Sequence, residues 1–304
     1  KEPQDVPFEK EGQYLKSDNR SNISYFLEHN VLLRRFTLSV GVLANYNSAL
    51  NEGIHFYPGI DASYRIGDNF RLYGSWNRAL RMPTFTDLYY EGKTNKGNPD
   101  LKPEESEAFE VGLKYNTYFL RAHIAGFYRK GKNMIDWVKE KPEDIWESQN
   151  LTKVDNLGFE TNLSLLPREL GNERFFIRKI ELGYAFIHQD KDSEGYISNY
   201  ALDYLKHKFT AQLSHSIWKG FSATWYVRWQ DRAGSYTKYE NLKPAYEEPY
   251  APYCLVDMKV NWEYQRLNLY AELNNLLNST YYDLGNIPQP GIWFKAGFRY
   301  SFKY

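Results

Sequence analysis

Apolar and polar side chains alternate with a period of two along nearly the whole chain, a pattern that fits extended strands with one dry and one wet face. In FSATWYVRWQ, Phe221, Ala223, Trp225, Val227 and Trp229 share one face, and Ser222, Thr224, Tyr226, Arg228 and Gln230 the other. RLNLYAELN, HKFTAQLS, FEVGLK and IDASYRI repeat the split. FKAGFRYSFKY sets Phe294, Ala296, Phe298, Tyr300, Phe302 and Tyr304 against Lys295, Gly297, Arg299, Ser301 and Lys303. No useful length of chain carries a helical period. The alternation predicts strands near 22–33, 35–46, 54–66, 70–81, 105–115, 118–138, 149–165, 176–190, 205–218, 220–232, 250–263, 266–276 and 291–304, with a further candidate at 8–16.

Strand length separates the all-β architectures. Most of these strands have 11 or more residues, whereas strands of globular proteins average about five or six. A tilted strand needs about 9–11 residues to cross a bilayer. The links alternate as well. Short ones fall at Tyr264-Gln265, Lys219-Gly220, Asn116-Thr117, Gly67-Asp68-Asn69 and near Arg34, with 166–175 somewhat longer. Long ones fall at 278–290, 233–249, 191–204, 139–148, 82–104 and 47–53. Short turns on one side, long loops on the other, and aromatics beside the short turns (Tyr115, Tyr118, Trp218, Phe221, Trp262, Tyr264) are the marks of a transmembrane β-barrel. A soluble sandwich or propeller also alternates, but explains neither the strand length nor the one-sided loops.

Composition agrees. Mean hydropathy is −0.67, too polar for a transmembrane helix but ordinary for barrel strands, whose two faces average out. With 38 Lys+Arg against 38 Asp+Glu there is no positive surplus for phosphate backbones, so no nucleic-acid partner is expected. The single cysteine, Cys254, excludes an internal disulfide framework, and the scattered histidines have no metal-ligand spacing. No cofactor and no metal is expected. The chain opens on KEPQDVPFEKEG without a leader, so a processed or partial sequence is expected.

Two constellations invite a catalytic reading, and alternation argues against both. Ser214-His215-Ser216 suggests a hydrolase, but His215 lies on the face of Phe209, Ala211 and Leu213 while the serines lie on the other. Glu104, Glu105, Glu107 and Glu110 form the densest acidic run. They split between two faces without a calcium-loop pattern, and are expected to be a solvated loop edge entering a lumen-facing strand. The protein is not expected to be an enzyme.

Four stretches in order resemble the C-terminal part of TonB-dependent outer-membrane receptors. They are PGIDASYRIGDNFRLYGSWNRALRMPTFTDLYY, GNPDLKPEESEAFEVGLKY, the pair FYRKGKNMIDWV and NLTKVDNLGFETNLSL, and LNNLLNSTYYDLGNIPQPGIWFKAGFRYSF. Together they cover most of residues 58–304. The resemblance implies an all-β, transmembrane antiparallel β-barrel domain over 1–304, about the last 14 strands of a 22-strand barrel, with the plug domain absent from this chain. Thirteen or fourteen strands would also suffice for a small porin-like channel, which stays open as the alternative.

The same resemblance implies residence in the Gram-negative outer membrane. It also implies import of a scarce, large small-molecule nutrient, driven by TonB through the missing plug segment. Expected partners are outer-membrane lipids and the barrel-assembly machinery, which would read the terminal aromatic strand; a surface lipoprotein over the loops is a further candidate. MIDWV and NLGFETNLSL look most like vitamin B12 receptors, so cobalamin ranks first, with ferric siderophores second. A haem receptor stays among the alternatives, although axial haem ligation between the two boxes is unsupported, because PTFTDLYYEGKTNKGN has no histidine. Cobalamin is rich in amides, and loop residues Tyr89, Tyr90, Asn95, Asn98, Tyr236, Tyr239, Asn241, Tyr281 and Tyr282 offer flat surfaces with polar tips to hold it. A siderophore would use these plus Arg81. In the longest loop, 82–104, an ordered rim half and a mobile EGKTNKGN tip are expected.

Overall fold

A computed structural model of the chain describes residues 19–49, 53–141, 143–171, 174–192, 195–198, 204–241, 243–284 and 287–302. The candidate strand at 8–16 and the terminal Lys303 and Tyr304 lie outside them. Thirteen long strands follow one another in chain order: β1 (Asn22–Leu32), β2 (Phe36–Asn47), β3 (Ile54–Ile66), β4 (Phe70–Arg81), β5 (Glu104–Asn116), β6 (Leu120–Lys139), β7 (Trp146–Leu165), β8 (Ile177–Asp192), β9 (Leu205–Trp218), β10 (Phe221–Arg232), β11 (Tyr253–Tyr264), β12 (Leu267–Asn274) and β13 (Trp293–Tyr300). Each is antiparallel to the next. Among the described residues β1 and β13 share no ladder. The sheet is a partial barrel, and these strands do not form the self-closed channel kept as the alternative.

Register carries the sequence alternation across the whole sheet. Directly opposed residues point to the same side of an antiparallel pair, so rows of partners show what each face meets. One row reads Ile66, Phe70, Tyr115, Ala122, Leu163, Leu182, Ala211, Val227, Val256, without a single charge. The next row on the opposite face reads Arg65, Arg71, Lys114, His123, Asn162, Gly183, Thr210, Arg228. The first face is the lipid side and the second lines the lumen. On β6 the outward apolar set runs from Leu120 to Tyr128, roughly 26 Å of strand at about 3.3 Å per residue. That is about 20 Å of height at barrel tilt, near the ~25 Å apolar band of outer-membrane barrels. Above it the outward row turns charged: Arg78, Glu107, Lys130, Asp155, Asp190.

The lumen face uses aromatic rings to cover glycines. A Cβ on Gly112 would lie 2.5 Å from the Tyr73 ring, and one on Gly158 2.4 Å from the Phe127 ring and 2.5 Å from the Phe186 carbonyl oxygen. The ring occupies the space a side chain would need, and the glycine lets neighbouring backbone approach. At Gly158 the obstruction is partly backbone, which cannot swing aside. Gly158→Ala should therefore cost about 1–2 kcal/mol of barrel stability, read as an earlier midpoint in urea unfolding. An unchanged midpoint would show that the ring and carbonyl relax freely.

Strands β6 and β7 run further than the alternation predicts and shorten their link to 140–145. The reason is a change of environment. Past Lys132 the pair leaves the membrane, and Val138, Leu151 and Val154 become fully buried against Met134 and Tyr196. Residues Ile197–Ser198 pair with Val138 and Lys139 and cover them. Two-sided burial erases a period-two pattern. Three other long links also hold short elements: a helix at Phe85–Tyr89, a ribbon of Ser235–Glu240 with Lys243–Pro249, and another of Tyr282–Leu284 with Ile287–Pro288.

Candidate functional site

The long links gather at one end of the barrel and build two clusters there. The first starts at β4. Arg81 ends that strand and donates to both oxygens of Glu104, at 2.6 Å each, with Asp87 3.7 Å away. Glu104 is only 7% exposed and also accepts from the Ile135 backbone N–H at 2.7 Å. The acidic run is therefore mixed: Glu105 and Glu110 stay exposed, as a solvated edge would, and Glu104 does not. Its first member is a buried brace between β4, β5 and β6, because a charge leaving water is retained only when paired. Glu107 accepts from the Trp76 indole and Glu110 from the Tyr73 hydroxyl.

Thr84-Phe-Thr-Asp87 forms a capping box that starts the helix Phe85–Tyr89, with the Thr84 and Asp87 side chains each accepting the other's backbone N–H. The signal was present in the sequence, but one turn is too short for a helical period. Tyr89 stacks on Phe85, and Tyr90 meets Trp137 edge-on at 6.3 Å. The EGKTNKGN tip is not free. Residues Asn95–Lys96 pair with Trp146–Glu147, and the N–H of Gly97 donates to Tyr90 and that of Asn98 to Asp87. Gly97 is needed there, since a Cβ would meet the Tyr89 nitrogen at 2.7 Å.

The second cluster joins the two ribbons. Tyr236, 8% exposed, stacks on Tyr282 at 5.5 Å and meets Tyr250 at 5.1 Å. Lys238 lies over both Tyr236 and Tyr282 and pairs with Glu248 at 3.3 Å. Tyr281 packs on Tyr253, whose hydroxyl reaches Gln230 and Asp283. Arg232 lies over Tyr250 and donates to the Asp283 carbonyl. Burial, with Glu248 nearby, pushes the Tyr236 phenol above its ordinary value, so it stays neutral and able to donate.

Of the residues singled out by sequence, Tyr236, Tyr281 and Tyr282 therefore converge, and Tyr89, Tyr90 and Asn98 share the capped loop. Asn98 closes a turn, accepting from the Asp100 N–H at 2.9 Å. Tyr239 stands exposed opposite Pro244, and Asn241 takes the left-handed position (φ 50°) of that ribbon's turn. Arg81 is committed to its brace. Trp137, Tyr250, Tyr253, Arg232 and Lys238 were missed; each lies at a strand end or within a short ribbon, where nothing in the alternation marks it out.

The catalytic-looking residues have other employment. His215 Nε2 accepts from the Trp225 indole at 3.2 Å and its Nδ1 meets the Ser216 backbone carbonyl at 3.3 Å, while Ser214 faces Thr224 at 3.1 Å and the Ser216 hydroxyl is held by Arg168 and Arg178, so the histidine does not meet a serine hydroxyl. His123 meets the Tyr73 hydroxyl at 2.7 Å and Glu160 at 3.8 Å. No group of three metal-ligating side chains exists among the described residues. Along the lumen wall a depression of about 650 Å³ is lined by polar residues including Lys114, Arg121, Asn162, Glu181, Gln212 and Arg228.

Known proteins share this architecture. The chain is 26% identical over 225 residues to the Vitamin B12 transporter BtuB of Vibrio vulnificus (strain YJ016), which covers 56% of this chain and 36% of that protein. It is 22% identical over 297 residues to the Ferrienterobactin receptor of Escherichia coli (strain K12), covering 88% of this chain and 38% of the other. The chain thus spans little more than a third of the length of these relatives. Among solved structures, the Pseudomonas aeruginosa ferric enterobactin receptor (PfeA) R480A mutant with enterobactin superposes with a TM-score of 0.73 at 19% identity, over 93% of this chain and 46% of that one. The FrpB iron transporter of Neisseria meningitidis gives 0.70 at 16% over 93% and 45%; at such identities the likeness is one of fold. The family model described as "TonB dependent receptor-like, beta-barrel" matches residues 3–276, and the chain belongs to that family.

Proposed function

We propose that this chain is the C-terminal barrel portion of a receptor that imports cobalamin across the outer membrane under TonB drive, with a ferric siderophore as the second reading. The family resides in the Gram-negative outer membrane. One observation carries the choice of cargo. The cations built into the two loop clusters are already engaged: Arg81 by Glu104 and Asp87, Lys238 by Glu248, Arg232 by Tyr250 and the Asp283 carbonyl. Apart from the exposed lysines Lys93 and Lys96 on the loop tip, what remains is ring surface, hydroxyls and amides, which suit a large amide-rich ligand better than an anionic ferric chelate. Capture by these loops would precede plug rearrangement driven from the periplasm, the plug being held by the polar lumen wall.

Calorimetric titration of the whole receptor with cyanocobalamin, a ferric catecholate siderophore and haem tests the choice. Cyanocobalamin should bind most tightly, and Tyr89→Ala/Tyr90→Ala should weaken it about 10-fold or more with barrel insertion unchanged. Tighter binding of the ferric chelate would transfer the assignment to iron. Unaltered cobalamin affinity in the double variant would move the contacts to the Tyr236–Tyr282 cluster.

A further inference from the structure

The turn between β7 and β8, at the short-link end, brings two arginines onto one hydroxyl. Arg168 donates through Nη2 to Ser216 Oγ at 2.7 Å, and Arg178 through Nε to the same oxygen at 2.8 Å. Arg168 Nε donates to the Phe175 carbonyl at 2.8 Å. Neither guanidinium has a carboxylate partner among the described residues. Two cations sharing a neutral acceptor repel each other, and most of their N–H groups stay unused. The Ser216 hydroxyl proton is also free to be donated outward.

Apolar surface surrounds this pair. Phe176 and Trp218 are 57% and 68% exposed, with Phe175 and Ile217 beside them in sequence and Leu170 two residues after Arg168 also exposed. Aromatics next to cations recur at this end of the sheet: Lys219 lies over Trp218, and Trp262 stacks on Tyr264 two residues before Arg266. Aromatic rings at a membrane boundary sit at headgroup level, and guanidinium pairs match phosphate oxygens in a fork geometry.

We propose that Arg168, Arg178 and Ser216 form a seat for the phosphodiester of an anionic phospholipid in the periplasmic leaflet, whose acyl chains lie along Phe176 and Trp218. The two guanidiniums bind the phosphate oxygens and the serine hydroxyl donates a third bond. The seat anchors the barrel's height and rotation at its periplasmic edge and does not depend on which nutrient is imported.

The test is native mass spectrometry of the whole receptor released from mixed phosphatidylglycerol–phosphatidylethanolamine nanodiscs. Wild type should retain phosphatidylglycerol at least 5-fold over phosphatidylethanolamine. Arg168→Gln/Arg178→Gln should abolish that preference, with folding checked by heat-modifiable gel mobility. Arg168→Lys/Arg178→Lys, which keeps the charge and loses the fork, should retain an intermediate preference and serves if the Gln variant misfolds. Equal retention of the two lipids by wild type overturns the proposal without any variant. So does a preference that survives in the Gln variant, or a loss of preference reproduced by Lys219→Gln alone. Loss of preference on adding millimolar inorganic phosphate would assign the seat to the free anion instead and overturn the lipid source.

Discussion

Val227→Arg should lower the folding free energy of the barrel by about 2–4 kcal/mol, while Tyr226→Arg one position earlier should leave it within about 0.5 kcal/mol. The contrast follows from register alone. Val227 lies between Ala211 and Val256 in the outward row, and Tyr226 between Gln212 and Asp257 on the lumen wall. Along β10 the outward set runs from Phe221, which packs on Trp262 at the short-turn end, to Trp229, which packs on His207. Val227 thus sits inside the apolar band. An arginine there must snorkel or thin the lipid, whereas on the lumen wall it joins Arg228 and Asp257 beside the polar depression. Urea-driven unfolding of the two variants in lipid vesicles measures the difference directly. Equal losses would mean that neither face is lipid, and the barrel assignment would fall.

Alternation was enough to place all thirteen long strands, most to within two residues, and to assign faces, because a half-buried strand writes its environment into every second residue. The same code failed where the environment changed. It starts the strand of Trp146 three residues too late, at 149, where Val138, Leu151 and Val154 are buried above the membrane and the period-two pattern fades. The loop 82–103 read as rim and tip because its anchors are single hydrogen bonds between distant segments, such as Trp146 N–H to Thr94. No periodicity encodes such bonds. Tyr236 and Tyr282 were recognisable as ring-bearing loop residues, but their stacking depends on two ribbons lying side by side. Sequence separation hides that. The capping box at Thr84 was legible by rule, and it is the one loop feature that sequence alone could have set in place.

Arg81→Ala should loosen the loop 82–103 without unfolding the barrel, costing about 2 kcal/mol locally. A broken buried pair costs about 3–5 kcal/mol, discounted here because the arginine side chain is 49% exposed. The deletion strands a carboxylate, Glu104, that is nearly removed from water and keeps only the Ile135 N–H. It also removes a cation 3.7 Å from Asp87, which caps the loop helix. Amide hydrogen exchange should accelerate across 84–98, where Asn98 and Gly97 bond back to the helix, and stay unchanged in β8 to β10. Arg81→Ala/Glu104→Gln should be milder than the single change, since a neutral amide can keep the Ile135 bond without an unpaired charge. That ordering separates a brace from a ligand contact. A contact residue would reduce nutrient affinity with exchange unaltered, and the second substitution would restore nothing. If both variants exchange like wild type, the brace contributes no order to the loop, and Arg81 returns to the set of residues available to cargo.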